Sequence, residues 1–142
     1  MSVRKIAQRY DNRAEMLVQV LVALVQQNGW ISEDDIRELA DALNLSRADV
    51  HGVVEYYHDF RTEPPGSHIV KLCRAEACQA MGGRELAAHA EEVAGGDTTL
   101  EAVYCLGNCA CAPAVMIDGK TYGRVDAERL DALLASLAEA AS

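Results

Sequence analysis

Apolar residues in the first sixty positions recur at helical spacing. Leu17, Val20, Leu21, Leu24 and Val25 follow the i, i+3, i+4 rhythm of one helix face, Asp11 or Asn12 stands where a cap is needed, and Asn28-Gly29 supplies a stop. That helix is apolar nearly all round, so it must be covered by packing. Ser32 with Asp35 and Ser46 with Asp49 each set a hydroxyl and a carboxylate three residues apart, which satisfies free N–H groups at a helix start. They predict a second helix carrying Ile36, Leu39, Ala40 and Leu43, and a third carrying Val50, Val53, Val54 and Tyr57. Three short helices in a small bundle result.

After Pro64-Pro65-Gly66 the rhythm changes. His68 to Leu72 reads as a strand that ends at Cys73, a helix is expected from about Arg84 to Val93 with Gly95-Gly96 ending it, and Thr99 to Tyr104 reads as a strand delivering Cys105. Ala114 to Ile117 and Lys120 to Tyr122 flank Asp118-Gly119, a favoured two-residue hairpin turn. A last helix opens at Asp126 and aligns Leu130, Leu133, Leu134 and Leu137. The expected class is α+β. Residues 1–65 form the N-terminal helical bundle, and residues 66–142 form a second domain in the order β-α-β-β-α.

Composition narrows the function. The chain has 142 residues, half of them apolar, which is enough for a real core. Thirteen basic against 22 acidic side chains give a formal charge of −9. Residues 1–65 hold 7 basic and 11 acidic side chains, and residues 66–142 hold 6 and 11, so both parts share the acidity. Such a chain is poorly suited to nucleic acid or an anionic membrane surface, where clustered cations are needed. The longest apolar run, Met16 to Val25, falls well short of the roughly 20 residues that span a bilayer. The opening residues lack the apolar core of a secretory signal, so the expected location is the reducing cytoplasm, without direct membrane insertion.

Five cysteines in such a compartment call for another chemistry than disulfides, and all five lie after Pro65. Cys73 and Cys78 are separated by four residues and Cys105 and Cys109 by three, and each pair follows a strand in a loop rich in small residues. Four thiolates can therefore converge on one site. Structural zinc usually includes a tight C-x2-C knuckle, which neither pair has. Thiol–disulfide catalysis favours C-x-x-C. A 2Fe-2S cluster takes four thiolates, two on each iron, and suits wider loops. On spacing the cluster fits best, with zinc and then buried or redox-active thiols as the alternatives.

The wording of these loops resembles a known family. Lys71-Leu72-Cys73-Arg74-Ala75-Glu76-Ala77-Cys78 and Tyr104-Cys105-Leu106-Gly107-Asn108-Cys109, followed by Ala112-Pro113-Ala114-Val115-Met116-Ile117, look like the thioredoxin-like 2Fe-2S ferredoxin family, which includes the 24 kDa subunit of NADH:quinone oxidoreductase. His51 to Phe60 also resembles the helical region that precedes the domain, so the likeness covers most of the chain. It implies a thioredoxin-like ferredoxin domain with one 2Fe-2S cluster, Cys73 and Cys78 on one iron and Cys105 and Cys109 on the other. Cys111 departs from the pattern as a fifth thiol, expected to be an unligated small residue.

The resemblance also implies a role. Members serve as electron-transfer subunits with no catalytic residue of their own, docked in a hetero-oligomer on a flavin- and NADH-binding subunit. The length and both matching segments are most similar to the gamma subunit of NAD-dependent formate dehydrogenases, for which FMN, NAD and a molybdenum or tungsten cofactor are expected only on partner subunits. A 24 kDa-type subunit of NADH:quinone oxidoreductase and the diaphorase subunit of a bidirectional NAD-linked hydrogenase follow. Outside this class stand a zinc-stabilised interaction module and a free-standing ferredoxin.

Other candidates read as structural. His51 and His58, seven apart, lack a third ligand and are expected at the surface or an interface, with His68 and His89 solvated. Tyr56, Tyr57 and Phe60 are expected to pack the helix. Gly82-Gly83 lacks the pattern that cradles a dinucleotide. Pro113 stands where thioredoxin-like folds carry a cis proline, so a cis Ala112-Pro113 bond is expected.

Overall fold

The computed structural model describes residues 1–140, which divide into two compact units, Met1–Pro64 and a second that begins at Pro65. The first is helical: α1 (Val3–Gln8), α2 (Leu17–Asn28), α3 (Glu33–Leu43) and α4 (Arg47–Tyr56). The three expected helices are present, and α1 is an addition. It is too short for periodicity to reveal, yet Val3, Ile6 and Ala7 bury one face of it. Asp11 and Asn12 do not cap α2. Both are left-handed, with φ of 56° and 52°, and turn the chain from α1 into a 3-10 turn, Ala14–Met16, that runs directly into α2. Gly29 does stop α2 at φ 84°, its N–H reaching the Val25 carbonyl at 2.7 Å.

Both capping boxes form. The Asp35 N–H donates to Ser32 Oγ at 3.1 Å and the Ser32 N–H to the Asp35 carboxylate at 2.8 Å. Ser46 and Asp49 repeat the exchange at 3.0 and 3.2 Å. The amphipathic faces then meet: Val20, Leu21 and Leu24 of α2, Ile36 and Leu39 of α3, and Val50 and Val54 of α4 lie in one core with Ile6 and Ile31. Full burial of such a side chain is worth about 1.5–3 kcal/mol. Phe60 joins this core, but Tyr56 and Tyr57 do not. They are exposed and meet each other edge to face at 5.0 Å. His58 lies beyond the end of α4, so it shares no helix face with His51, whose ring nitrogens each stand 3.3 Å from a carboxylate, Glu33 and Glu55.

The second unit is an α+β layer. A four-stranded sheet runs in the order β2-β1-β3-β4, with β1 (His68–Cys73), β2 (Thr98–Val103), β3 (Val115–Ile117) and β4 (Lys120–Tyr122). Between β1 and β2 lie α5 (Glu76–Ala80), too short to be expected, and α6 (Gly83–Val93). The last element is α7 (Ala127–Ala140), whose first turn is capped by Asp126 Oδ1 accepting from the Arg129 N–H at 2.8 Å. Asp118 and Gly119 turn β3 into β4 with φ of 49° and 86°, as a two-residue hairpin requires. Val70 and Leu72, two apart on one face of β1, share a core with Leu86 and Ala90 of α6, Val115 and Ile117 of β3, and Leu130 of α7. α6 ends at Ala94 in extended backbone rather than through a left-handed glycine at 95 or 96.

His68 and His89 are not simply solvated. His68 Nδ1 stands 2.7 Å from Asp118 Oδ2, and His89 Nε2 stands 2.7 Å from Asp131 Oδ1. Each joins two segments of the unit far apart in sequence.

Candidate metal centre

Strand direction brings the cysteines together. β1 and β2 are parallel neighbours with Cys73 opposite Val103, so the loops that leave them emerge at the same edge of the sheet. β3 is antiparallel to β1, with Leu72 opposite Val115, and so starts at that edge. Cys73 closes β1, Cys78 follows in α5, and Cys105, Cys109 and Cys111 lie between β2 and β3, so all five belong to this edge. Three backbone bonds fasten it: the Cys73 N–H donates to the Ala114 carbonyl at 3.2 Å, Arg74 to Val103 at 2.8 Å, and Val125 to Pro113 at 3.0 Å. The Ala112-Pro113 peptide is cis, as expected.

The two pairs sit in unlike surroundings. Cys73 closes β1 and Cys78 lies in α5; both are buried with Ala112 and Ala114. Burial pushes the Cys78 thiol above its ordinary value, with the neighbouring Cys73 adding to the rise and a hydrogen bond from the Ala114 backbone opposing it. Cys105 and Cys109 are exposed, with their sulfurs 3.6 Å apart. Two thiolates on one tetrahedral metal at about 2.3 Å stand roughly 3.8 Å apart, so this separation suits a shared metal atom. The Gly107 N–H donates to Cys105 Sγ at 3.3 Å and, with the Cys109 thiol, holds Cys105 below its ordinary pKa. The partner Cys109 is raised, first by Cys105 and also by the charge of Cys73, which ties the second pair electrostatically to the first.

Local backbone supports this placement. Cys105 has φ 132°, a region that L-residues rarely adopt and that costs on the order of 1–3 kcal/mol. Gly107 follows at φ 73°, aiming its N–H back at the sulfur. Cys109 to Cys111 form a 3-10 turn, closed by the Cys111 N–H on the Asn108 carbonyl at 3.0 Å. Cys111 is half-buried at the end of that turn, and its carbonyl accepts from the Arg124 N–H at 2.6 Å. Beside Cys109 opens a cavity of about 750 Å³ lined by Met81, Leu86, Pro113, Arg124 and Val125.

The donor set fits an iron–sulfur group: four soft thiols in two pairs, one of them at a one-metal separation, beside the strand ends of one sheet edge with backbone N–H groups facing sulfur. Among the described residues no group of three or more His, Cys, Asp or Glu is closed around a point for an ion. Sequence reasoning located the cysteines but missed the backbone donors. Gly107 was visible as a glycine between two cysteines, whereas nothing in the sequence marks the amide of Ala114.

Fold and thiols together define a thioredoxin-like domain with five cysteines at one sheet edge, preceded by a helical unit. A model of the thioredoxin-like [2Fe-2S] ferredoxin family matches residues 3–138, and the chain belongs to that family. Its cofactor is one 2Fe-2S cluster. The chain is 32% identical over 143 residues to a subunit of NADH-quinone oxidoreductase from Rhizobium meliloti (strain 1021), covering 94% of this chain and 85% of the relative. It is 29% identical to the corresponding NADH-quinone oxidoreductase subunit of Pseudomonas aeruginosa, covering 94% and 86%. Among solved structures it is similar to an NAD+-reducing [NiFe]-hydrogenase in the air-oxidized state, with a TM-score of 0.71 and 26% identity over 90% of this chain. It spans 24% of that hydrogenase chain. Among the described residues no helix is long and apolar enough to cross a membrane.

Proposed function

We propose that Cys73 and Cys78 hold one iron and Cys105 and Cys109 the other iron of the 2Fe-2S cluster, and that the chain is the electron-transfer subunit of a cytoplasmic NAD-linked oxidoreductase. The observation that carries the ligand assignment is the 3.6 Å approach of Cys105 to Cys109 at the same sheet edge as Cys73 and Cys78. The cluster supplies a one-electron couple when bound. The protein's part is to hold the geometry nearly constant between the two charge states. Strand ends fix Cys73 and lead directly to Cys105, and the Gly107 N–H stabilises negative charge on Cys105. Burial of Cys73 and Cys78 keeps water from one pair, while exposure of Cys105 and Cys109 leaves the other open towards a redox partner. That partner is a flavin- and NADH-binding subunit in a hetero-oligomer, and this chain has no catalytic residue of its own.

The finer reading is the gamma subunit of an NAD-dependent formate dehydrogenase, supported by the wording of the two cysteine segments. A second reading, a subunit of NADH:quinone oxidoreductase, is favoured by the names of the relatives. Purification from the native source separates them. A brown complex with NAD-dependent formate oxidation, carrying this chain beside a flavoprotein, supports the first; quinone reduction by NADH in the complex supports the second. A colourless chain that binds zinc would overturn both.

A further inference from the structure

Two glycines far apart in the chain press on the two cysteine segments. We propose that Gly83 and Gly123 are positioning residues for the cluster, each setting the place of one cysteine pair through a contact that leaves no room for a Cβ. This rests on the ligand assignment above. Gly83 opens α6, and a Cβ built there would lie 2.7 Å from the Cys78 carbonyl oxygen, 2.9 Å from its carbon and 3.5 Å from the Cys73 oxygen. Gly123 follows β4, and a Cβ there would lie 2.7 Å from Cys111 Cβ, 2.8 Å from Asn108 Nδ2 and 3.0 Å from the Cys111 oxygen. Cβ atoms essentially never come closer than 3.0 Å to other heavy atoms, so an alanine at either position moves the neighbour.

The neighbours are the ligand segments themselves. At Gly83 the obstacle is backbone, the peptide of Cys78, which no rotamer change relieves. At Gly123 the obstacles are the Asn108 side-chain amide, which can rotate away, and the Cβ and carbonyl of Cys111, which cannot yield without moving the 3-10 turn that carries Cys109. Neither glycine has a positive φ, so backbone conformation alone would accept alanine at both. Only the close approach demands glycine. The same contact gives Cys111 a role that needs no iron: its Cβ is the surface on which Gly123 rests.

The test compares the purified chain with Gly83→Ala, Gly123→Ala, Gly66→Ala and the double variant Gly123→Ala/Cys111→Gly. Gly66 is the structural control, because a Cβ there collides with the Asp97 carbonyl, in residues away from the cysteines. The readouts are the rate of cluster loss, the midpoint potential and the EPR g-values. Gly83→Ala and Gly123→Ala are expected to lose the cluster roughly tenfold to 100-fold faster and to shift both potential and g-values. Gly66→Ala is expected to lower thermal stability while its potential stays at the wild-type value. The double variant removes the nearest obstacle, the Cys111 Cβ, while the Asn108 amide and the Cys111 carbonyl remain, so it is expected to recover part of the Gly123→Ala loss. Wild-type potentials and loss rates in both single variants overturn the proposal. So does an equal shift in Gly66→Ala, or a Gly123→Ala defect that is undiminished in the double variant. If Gly83→Ala yields no folded chain, the Gly123 pair decides. Retention of the cluster in Cys105→Ser would overturn the ligand assignment instead, and would do so independently of the glycine results.

Discussion

The helical unit and the cysteine-bearing unit use their sequence differently. In the first, local preference and tertiary structure agree almost everywhere: amphipathic faces meet in one core, both serine caps close, and Gly29 ends α2 as its conformation favours. The second unit is equally regular in its core of Val70, Leu72, Val115 and Leu130, but at one sheet edge it departs from local preference. Cys105 sits at φ 132°, two glycines are pressed against the cysteine segments, and Cys105 and Cys109 are close enough to alter each other's proton affinity. Departures from local preference mark function when they cluster in one place, and here they coincide with the five cysteines.

The sharpest break of this comparison is chemical. Single replacement of Cys73, Cys78, Cys105 or Cys109 by Ser is expected to abolish or destabilise the cluster, while Cys111→Ser stays near wild type, with iron content and visible absorption as the measurement. Loss in Cys111→Ser together with retention in Cys109→Ser would move the ligand by two residues. Next in size, Leu21→Ala in the fully buried helical core is expected to cost about 2–5 kcal/mol in urea unfolding and leave the cluster spectrum unchanged. A spectrum that collapses with it would join what the comparison separates.

Two smaller effects sharpen the contrast. In the cluster-free chain at neutral pH, iodoacetamide should reach Cys105 before Cys78, as peptide mass spectrometry would show. Cys105 is exposed and its pKa is lowered by the Gly107 N–H, whereas Cys78 is buried and its pKa is raised. Ser32→Ala is expected to cost about 1 kcal/mol in urea unfolding, by removing the acceptor for the Asp35 N–H.

The smallest effect concerns Asp49. Hydrogen bonds from the Ser46 side chain and backbone hold its carboxyl below the ordinary 3.8. A depressed folded-state value contributes stability above the unfolded value and loses it as pH falls through the folded one. Asp49→Asn should therefore be less stable than wild type at neutral pH, with the difference fading below about pH 4 as Asp49 protonates. Denaturation at several pH values reads this directly.

The sequence by itself determined most of the helices and strands, where the two serine-capped helices begin, and that the cysteines follow the ends of two strands. Those features depend on spacing within a few residues, and capping, turn chemistry and amphipathic periodicity act over that range. It did not reveal α1 or α5, because one turn or two carry too little periodicity to stand out. It misplaced the start of α2, because a 3-10 turn can lead into a helix without a side-chain cap. His68 was likewise missed as a tie to Asp118, 50 residues away, since no local pattern encodes that contact. Tertiary structure alone decided that one cysteine pair is buried and the other exposed, that the amides of Gly107 and Ala114 face sulfur, and that Gly83 and Gly123 back the two cysteine loops. Each of these is set by the parallel pairing of β1 with β2 and the antiparallel return of β3, which carry residues distant along the chain to one edge of one sheet.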